Sequence, residues 1–237
     1  MLQLENVTVK FGGLTAVNNV TLAIGSGDVI GLVGANGAGK TTLFNAISGL
    51  VRPTGGRILF NGADVLRAPM YQRARIGIGR TFQIPQPMHE LTVRENLLVA
   101  QRFGTGSVDA RRIDEILDFT SLTAKAGHDA ATGLALTELK ALEVAKALAT
   151  NPKLLLLDEV LAGLETHGKR RFMHMLKELH QKFGVGIVII EHDIETISQL
   201  CRRVAVLNFG QMIAEGAPAE VFSNPAVMES YTGAAHA

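Results

Sequence analysis

The sequence is poor in cysteine and in aromatic residues. It has a single cysteine, Cys201, no tryptophan and only 5% aromatic residues. One thiol excludes an internal disulfide framework and fits a reducing compartment, so we expect Cys201 to be a small buried hydrophobic residue. The low aromatic content disfavours a surface that binds single-stranded nucleic acid by stacking on its bases.

The sequence also lacks an excess of one charge and a long apolar run. Its 23 Lys and Arg residues nearly balance 22 Asp and Glu residues, which argues against a broad nucleic-acid face. No segment reaches the about 18–20 consecutive apolar residues that a membrane-spanning helix needs. The dense apolar runs at 154–157 and 185–190 have the length of buried strands. We therefore expect any role at a membrane to depend on a partner.

The residues that are present predict an α/β fold. Hydrophobic residues make up 47% of 237 residues, enough for one domain with a sizeable core. Alternation of apolar and polar residues from Leu2 to Val9 predicts an edge strand that turns at Gly12–Gly13. A helix is predicted from about Lys40 to Ser48, and helical periodicity prevails from about Thr92 to Ala149. Strands return afterwards, with a final hairpin turned at Asn208–Gly210.

One short motif carries a specific chemical prediction. The stretch GANGAGKT follows the predicted strand VIGLV and opens a helix, and it fits the phosphate-loop pattern G-x-x-x-x-G-K-[ST]. Its glycines let main-chain N–H groups point at phosphate oxygens, and the helix N-terminus adds a favourable dipole. Lys40 is expected to reach the β- and γ-phosphates, and the Thr41 hydroxyl to bind Mg²⁺. The predicted nucleotide contacts are Gly34, Ala35, Asn36, Gly37, Ala38, Gly39, Lys40, Thr41 and Thr42.

A second motif, LLLLDE at 154–159, ends an apolar strand in two carboxylates. Burying charge is costly, so a core strand has little structural use for adjacent acids at its tip. We predict that Asp158 holds the Mg²⁺ shell and that Glu159 is the general base that polarises the attacking water. The alternative is a solvated turn.

Polar residues follow two further predicted strands. His192 comes after IVII, at the edge where α/β sheets bind ligands, and we favour a γ-phosphate contact over a purely structural histidine. Gln83, in RTFQIP, follows another strand and precedes a loop broken by proline. On its own, the position of Gln83 favours neither a functional nor a structural role.

Together these motifs resemble the nucleotide-binding domain of ABC transporters over essentially the whole chain. GANGAGKT is similar to the Walker A loop, and LLLLD with Glu159 to Walker B and the catalytic glutamate. Gln83 matches the Q-loop glutamine, which senses Mg²⁺ and contacts the transport partner, and AGLE at 162–165 matches the D-loop. His192 matches the switch histidine, and Phe11 stands where the family places an aromatic ring against adenine, the alternative being a core phenylalanine. FGGLTAVNNV, GIGRTFQ, LTVRENLLVA and IAEGAPAEVFSNP resemble the ATPase subunit of branched-chain amino acid importers.

The resemblance implies the architecture and the cofactors. It implies one ABC ATPase domain over 1–237, a P-loop NTPase core with an antiparallel β subdomain at 1–90 and 150–237, and an inserted helical subdomain at about 91–149. ATP and Mg²⁺ are the implied cofactors, with Thr41, Gln83 and Asp158 around the metal ion. The implied partners are integral-membrane permease subunits, with the chain lying at the cytoplasmic face of the membrane.

The chain departs from the family at the signature motif. LSGGQ is replaced by LALTE, so that Ala135, Leu136, Thr137 and Glu138 stand where a serine, two glycines and an amide would face ATP on a partner subunit. The D-loop ends in Glu165 instead of Asp. A carboxylate facing a triphosphate is repulsive unless it points away. We therefore predict pairing with a second, related ATPase subunit that carries an intact signature, a homodimer being the alternative.

Two other functions remain as alternatives. A soluble ABC-type ATPase acting on nucleic acid or the ribosome predicts tandem modules, a coiled-coil insertion or a basic extension, and the sequence has none of them. A P-loop kinase for a small molecule would leave Gln83, His192 and the D-loop without roles. The leading prediction is an ATP-hydrolysing subunit of a membrane importer.

Overall fold

The computed structural model describes residues 1–232, so the last five residues of the predicted 1–237 domain lie outside the described part. The strands are β1 (Leu2–Phe11), β2 (Leu14–Ile24), β3 (Val29–Val33), β4 (Gly55–Phe60), β5 (Ala63–Asp64), β6 (Ile78–Arg80), β7 (Leu154–Asp158), β8 (Gly186–Ile190), β9 (Arg203–Asn208) and β10 (Gln211–Gly216). The helices are α1 (Lys40–Ser48), α2 (Met70–Ile76), α3 (Val93–Thr105), α4 (Ala110–Phe119), α5 (Leu136–Ala149), α6 (Thr166–Phe183), α7 (Ile194–Leu200), α8 (Pro218–Ser223) and α9 (Pro225–Thr232), with a 3-10 turn at Thr123–Lys125.

The described chain divides into two compact units. The first contains residues 1–70 and the chain from residue 186 onward, and the second contains residues 71–185. Both units combine helices and strands, which confirms the predicted α/β class. The division of the domain at residues 90 and 149 stays a prediction.

The first unit contains an antiparallel sheet in the order β2-β1-β4-β5. Leu2 pairs with Ile24 on one side and with Phe60 on the other, so β1 is a central strand and the predicted edge position is wrong. The alternation of apolar residues indicates which face of a strand is buried, but it carries no information about how many of its hydrogen-bonding sides are paired. The turn at Gly12–Gly13 is where it was predicted.

The first unit also contains the parallel strands that carry the phosphate-loop motif. β3 lies between β8 and β9 and is parallel to both, and β10 closes this part as an antiparallel hairpin with β9. Every residue of β8 is buried, as its unbroken apolar run predicts for a strand covered on both faces. Cys201, after α7, is buried, and burial raises the pKa of its thiol to about 12. The prediction of a buried cysteine is confirmed.

The second unit contains the helical block and a short parallel pair, β6 and β7. The predicted helical region is formed by α3, α4 and α5, whose apolar faces bury Leu97, Ile113 and Leu142. Sequence analysis missed α2, a helix of only 7 residues that contains two arginines in its last turn. Among the helices of residues 1–232, none combines the length and the apolar character that a bilayer crossing requires.

Candidate functional site

The phosphate-loop motif of the first unit connects β3 to α1. Gly34 and Gly39 adopt φ values of 145° and 102°, which favour glycine. A Cβ atom on Gly34 would lie 2.1 Å from the Leu207 carbonyl oxygen, and one on Gly39 would lie 2.4 Å from that of Ala16. These two glycines are therefore required by space as well as by conformation. Because Gly39, at the N-cap of α1, provides no side chain to cap the helix, the first amides of α1 can bind a ligand's oxygen atoms.

The Lys40 side chain lies inside the phosphate loop. Its side chain is buried, and its Nζ donates hydrogen bonds to the carbonyl oxygens of Gly34 at 2.7 Å and Ala35 at 2.9 Å. The ammonium group is thus held inside the curve of the loop, where a phosphate chain can replace the carbonyl acceptors. Thr41, the next residue of α1, is exposed and presents a hydroxyl at the first turn.

The other predicted residues of the first unit lie at strand ends. Because β3 and β8 are parallel neighbours, the loop after β3 and His192 after β8 lie at the same edge of the sheet. His192 is exposed and immediately precedes Asp193, the N-cap of α7. Phe11 ends β1 and is 50% exposed, so it is not a core residue. A half-exposed ring can stack on a planar group.

Tyr231 is a neighbour of the loop that sequence analysis missed. The pKa of this phenol is raised because the side chain is buried, and a hydrogen bond with the Gly34 main chain opposes part of that shift. Tyr231 lies almost 200 positions from Gly34 in α9, and nothing in the sequence near either residue indicates the contact.

The second unit brings together Asp158, Glu159 and Gln83. Asp158 ends β7 and is buried, and its main-chain N–H donates to the Thr81 hydroxyl at 3.1 Å. The Gln83 side-chain amide donates from Nε2 to Oε2 of Glu159 at 2.6 Å. The predicted base and the predicted Q-loop glutamine are therefore in direct contact, while their catalytic roles stay predictions.

Arg80 is a second residue that sequence analysis missed. Its guanidinium donates from one terminal nitrogen to Oδ2 of Asp158 at 3.1 Å, and both side chains are 3% exposed. Burial lowers the pKa of Arg80, and the charge and hydrogen bond of Asp158 oppose that shift. A buried carboxylate needs such a cation, because an isolated charge in the interior is very costly. The sequence shows an arginine near the end of the strand that precedes Gln83, but only the structure shows that this strand lies beside β7.

The replaced signature motif lies at the start of α5 in the second unit. Leu136 is the first helical residue and is 44% exposed, and Ala135 is the N-cap. Oε2 of Glu138 accepts a hydrogen bond from the Ala135 N–H at 2.8 Å, and Oε1 lies 3.8 Å from the Lys125 ammonium. The carboxylate thus folds back onto its own helix N-terminus and occupies one of the amides there. Glu165, at the end of the D-loop, is the exposed N-cap of α6.

Comparison with known proteins identifies the family. A family model described as ABC transporter matches residues 17–162, more than half of the chain. The chain belongs to the ABC transporter family. A second model, described as branched-chain amino acid ATP-binding cassette transporter, matches residues 211–237 of this ABC ATPase.

Curated relatives of this ABC ATPase match nearly its full length. The probable branched-chain amino acid transport ATP-binding protein LivG of Archaeoglobus fulgidus is 36% identical over 99% of this chain and 96% of its own. The high-affinity branched-chain amino acid transport ATP-binding protein LivG of Escherichia coli K12 is also 36% identical, over 99% of this chain and 98% of its own.

Solved structures of ATP-binding cassettes have the same fold. A cassette of an ABC transporter in its ADP conformation has a TM-score of 0.87 and 32% identity, and the match covers 98% of each chain. A nucleotide-free cassette also has a TM-score of 0.87, with 31% identity and the same coverage. Since one sequence family and one fold agree over the whole chain, the predicted P-loop core of ABC-ATPase type is confirmed.

The family assignment settles the class of activity. The chain is an ATP-binding ATPase of an ABC transporter. The alternative of an ATPase acting on nucleic acid or the ribosome finds no support among these relatives.

Proposed function

We propose that this ABC ATPase serves an importer of branched-chain amino acids or of chemically similar amino acids and amides. The observation that carries the proposal is the full-length likeness, 36% identity over 99% of the chain, to two ATP-binding proteins named for branched-chain amino acid transport. The match of residues 211–237 to a family model of the same description supports it. The chain would act at the cytoplasmic face of the membrane, where ATP is available to a permease-bound subunit.

The first unit supplies the groups that hold the nucleotide. The amides of residues 34–42 and the Lys40 ammonium would bind the phosphate chain, since both present positive charge to it at short range. The half-exposed Phe11 ring would stack on adenine, and His192 would contact the γ-phosphate. The Phe11 ring is half-exposed and His192 is exposed, whereas the Lys40 ammonium would exchange its two carbonyl acceptors for phosphate oxygens.

The chain also offers oxygen donors that suit Mg²⁺. The Thr41 hydroxyl, the Asp158 carboxylate and the Gln83 side-chain carbonyl are the hard oxygen ligands that this ion prefers. When bound, Mg²⁺ would neutralise part of the phosphate charge that develops during transfer. Arg80 holds the Asp158 carboxylate in place through a buried ion pair.

Glu159 would act as the general base of hydrolysis. Its carboxylate would accept a proton from the attacking water. The oxygen atom of that water would form the new bond to the γ-phosphorus while the bond from the γ-phosphorus to ADP breaks. The hydrogen bond that Gln83 donates to Oε2 would orient the Glu159 carboxylate for this step. The products are ADP and phosphate.

A second, related ATPase subunit is the proposed partner in the dimer. In this chain the signature motif, which in the family binds the partner's ATP, has Ala135 in place of serine. The Glu138 carboxylate accepts a hydrogen bond at the N-terminus of its own helix. The negative charge of a carboxylate at that N-terminus offsets the positive end of the helix dipole, which would otherwise attract a γ-phosphate. The site that pairs this chain's Lys40 and Glu159 with the partner's signature would therefore hydrolyse ATP, and the opposite site would hydrolyse it poorly.

Reconstituted transport tests the substrate class. With its permease, the second ATPase subunit and an external binding protein in liposomes, internal ATP is expected to drive uptake of radiolabelled leucine, because turnover is coupled to the permease. A sugar and an acidic amino acid serve as control solutes. Normal ATP hydrolysis in the same vesicles without uptake of leucine, isoleucine, valine or any related neutral amino acid or amide would contradict the proposed substrate.

Turnover of the assembled complex tests the asymmetry. Glu159→Gln in this chain is expected to lower ATPase activity about 100-fold, whereas replacing the corresponding glutamate of the second subunit should change it by less than about threefold. Phosphate release from both assembled variants measures the difference. The combined change Ala135→Ser, Leu136→Gly, Thr137→Gly and Glu138→Gln should raise the contribution of the weak site. Equal losses from the two glutamate substitutions would rule out the asymmetry.

A further inference from the structure

A buried lysine of α5, the helix that begins within the replaced signature motif, is hydrogen-bonded to the main chain of Glu159, the predicted general base. Lys140, in the second turn of α5, is 5% exposed, and its Nζ donates a hydrogen bond to the carbonyl oxygen of Glu159 at 2.8 Å. Sequence analysis found no chemistry beyond the first turn of α5. The contact joins residues 19 positions apart and belongs to neither the Walker motifs nor the replaced signature.

The main chain that Lys140 holds is in an unfavourable conformation. Glu159 has a φ of 47°, in the left-handed region that residues with a Cβ atom rarely adopt. Such a conformation persists only where surrounding groups fix it. Because the main chain sets the direction of the Cα–Cβ bond, a donor that fixes the Glu159 carbonyl also fixes the point from which its side chain extends.

The same side of α5 also holds the loop that carries Gln83. Oε1 of Glu143, which is 4% exposed, accepts a hydrogen bond from the Gln86 N–H at 2.8 Å. Lys146 forms an ion pair with Glu143, and its Nζ donates to the Gln86 carbonyl oxygen. Lys140, Glu143 and Lys146 are spaced three residues apart, so they form a stripe along one side of the helix.

Both ends of the Gln83–Glu159 hydrogen bond are therefore attached to one rigid element. Gln83 lies three residues before Gln86, whose main chain α5 holds with two hydrogen bonds, and Glu159 is held by Lys140. We propose that the stripe formed by Lys140, Glu143 and Lys146 positions Glu159 for catalysis, with Lys140 as its principal positioning residue. The stripe acts through Glu159 and does not itself touch the nucleotide.

The inference rests on the proposed role of Glu159 as the general base, and it makes a distinct kinetic prediction. A misplaced base slows the chemical step and leaves nucleotide binding unchanged. Removing Lys140 should thus lower kcat, while the affinity for ATP, which depends on residues 34–42 and Lys40, should remain close to that of the wild type. A merely structural lysine would affect both quantities or the stability alone.

Steady-state kinetics of the full chain in its assembled complex tests this. Lys140→Met is expected to lower kcat about 10- to 100-fold, as a small misplacement of a catalytic group does, with the ATP dissociation constant within about twofold of the wild type. Lys140→Arg, which keeps a cationic donor, should recover most of the loss. Lys146→Met, which lies nearer the surface, should lower kcat less, because Glu143 still holds the Gln86 N–H. Lys177→Met, an exposed lysine of α6, is the matched control.

The double substitution decides whether Lys140 acts through Glu159. In a Glu159→Gln background, Lys140→Met should cause no further loss of the residual turnover, because no base remains to be positioned. An equal fold loss in both backgrounds would overturn the inference, as would a wild-type kcat for both Lys140→Met and Lys146→Met. If Lys140→Met does not fold, a wild-type kcat for Lys146→Met alone would overturn it. Undiminished turnover in Glu159→Gln itself would instead refute the proposed base.

Discussion

Replacing Glu159 by glutamine is expected to lower the ATP turnover of this subunit about 100-fold, because an amide cannot accept the proton of the attacking water. ATP binding should persist, since the phosphate loop and Lys40 are untouched. The glutamine also preserves the shape of the side chain and can still accept the hydrogen bond that Gln83 donates to Oε2 at 2.6 Å. Phosphate release at saturating MgATP measures the loss, and titration with a fluorescent ATP analogue measures the binding.

A matched control for Glu159→Gln lies in the same unit. Glu178→Gln removes the same charge from an exposed position on α6 and should leave turnover unchanged. If Glu159→Gln retained more than about a tenth of wild-type turnover, a loss well below the usual contribution of a general base, another group would have to accept the proton.

Replacing Lys40 by alanine is expected to weaken ATP binding, whereas Glu159→Gln is expected to slow hydrolysis and leave binding intact. Nζ of Lys40 sits inside the loop, 2.7 Å from the Gly34 carbonyl oxygen, where an incoming phosphate oxygen would replace that acceptor. Losing a hydrogen bond of that kind to a charged group should weaken ATP binding about 10- to 100-fold. Turnover at subsaturating ATP should fall at least as much. Titration calorimetry of the full chain with MgATP measures the affinity.

Lys10→Ala is the control for Lys40→Ala, since Lys10 is exposed on β1 of the same unit. The melting temperature of Lys40→Ala without nucleotide separates a loss of binding from a loss of folding. An ATP affinity within about twofold of the wild type would be far smaller than the expected loss of a charged hydrogen bond. That result would contradict the role of the Lys40 ammonium in binding phosphate.

The local parts of the site could be predicted from sequence because their chemistry is local. The phosphate loop needs glycines at fixed offsets followed by Lys40 and a helix, and all of these are consecutive in the chain. The helix α1 begins and ends at Lys40 and Ser48 as its periodicity predicts. The carboxylates at the end of β7 were also visible, because a core strand that ends in Asp158 and Glu159 is unusual unless the acids are used.

The contacts that organise the second unit could not be predicted in the same way. Arg80 meets Asp158 across 78 positions, and Lys140 reaches the Glu159 carbonyl from a helix that reads as ordinary packing. Hydrophobic periodicity indicates that a residue of α5 faces inward, but it does not say which main chain lies opposite. The pairing of β1 on both sides was missed for the same reason, since neighbours in a sheet are set by the topology.

The first turn of α5 shows how the structure sharpens a prediction from sequence. The replacement LALTE left open whether Glu138 would face a partner's triphosphate. The carboxylate instead accepts a hydrogen bond from the Ala135 N–H, three residues earlier, which gives this acid a structural role in capping its own helix. The contact supports the proposal of a weak trans site, because one amide that could bind phosphate is already occupied.

The most direct test of the account is the identity of the nucleotide that remains bound after incubation with MgATP. The assembled complex would be prepared with wild-type chain, with Glu159→Gln and with Lys40→Ala, passed rapidly through a desalting column, and its nucleotide separated by chromatography. We predict ADP from the wild type, intact ATP at the site of this chain with Glu159→Gln, and little nucleotide at that site with Lys40→Ala. ADP at the same site of the Glu159→Gln complex would contradict the claim that Glu159 is the base that hydrolyses ATP held by Lys40.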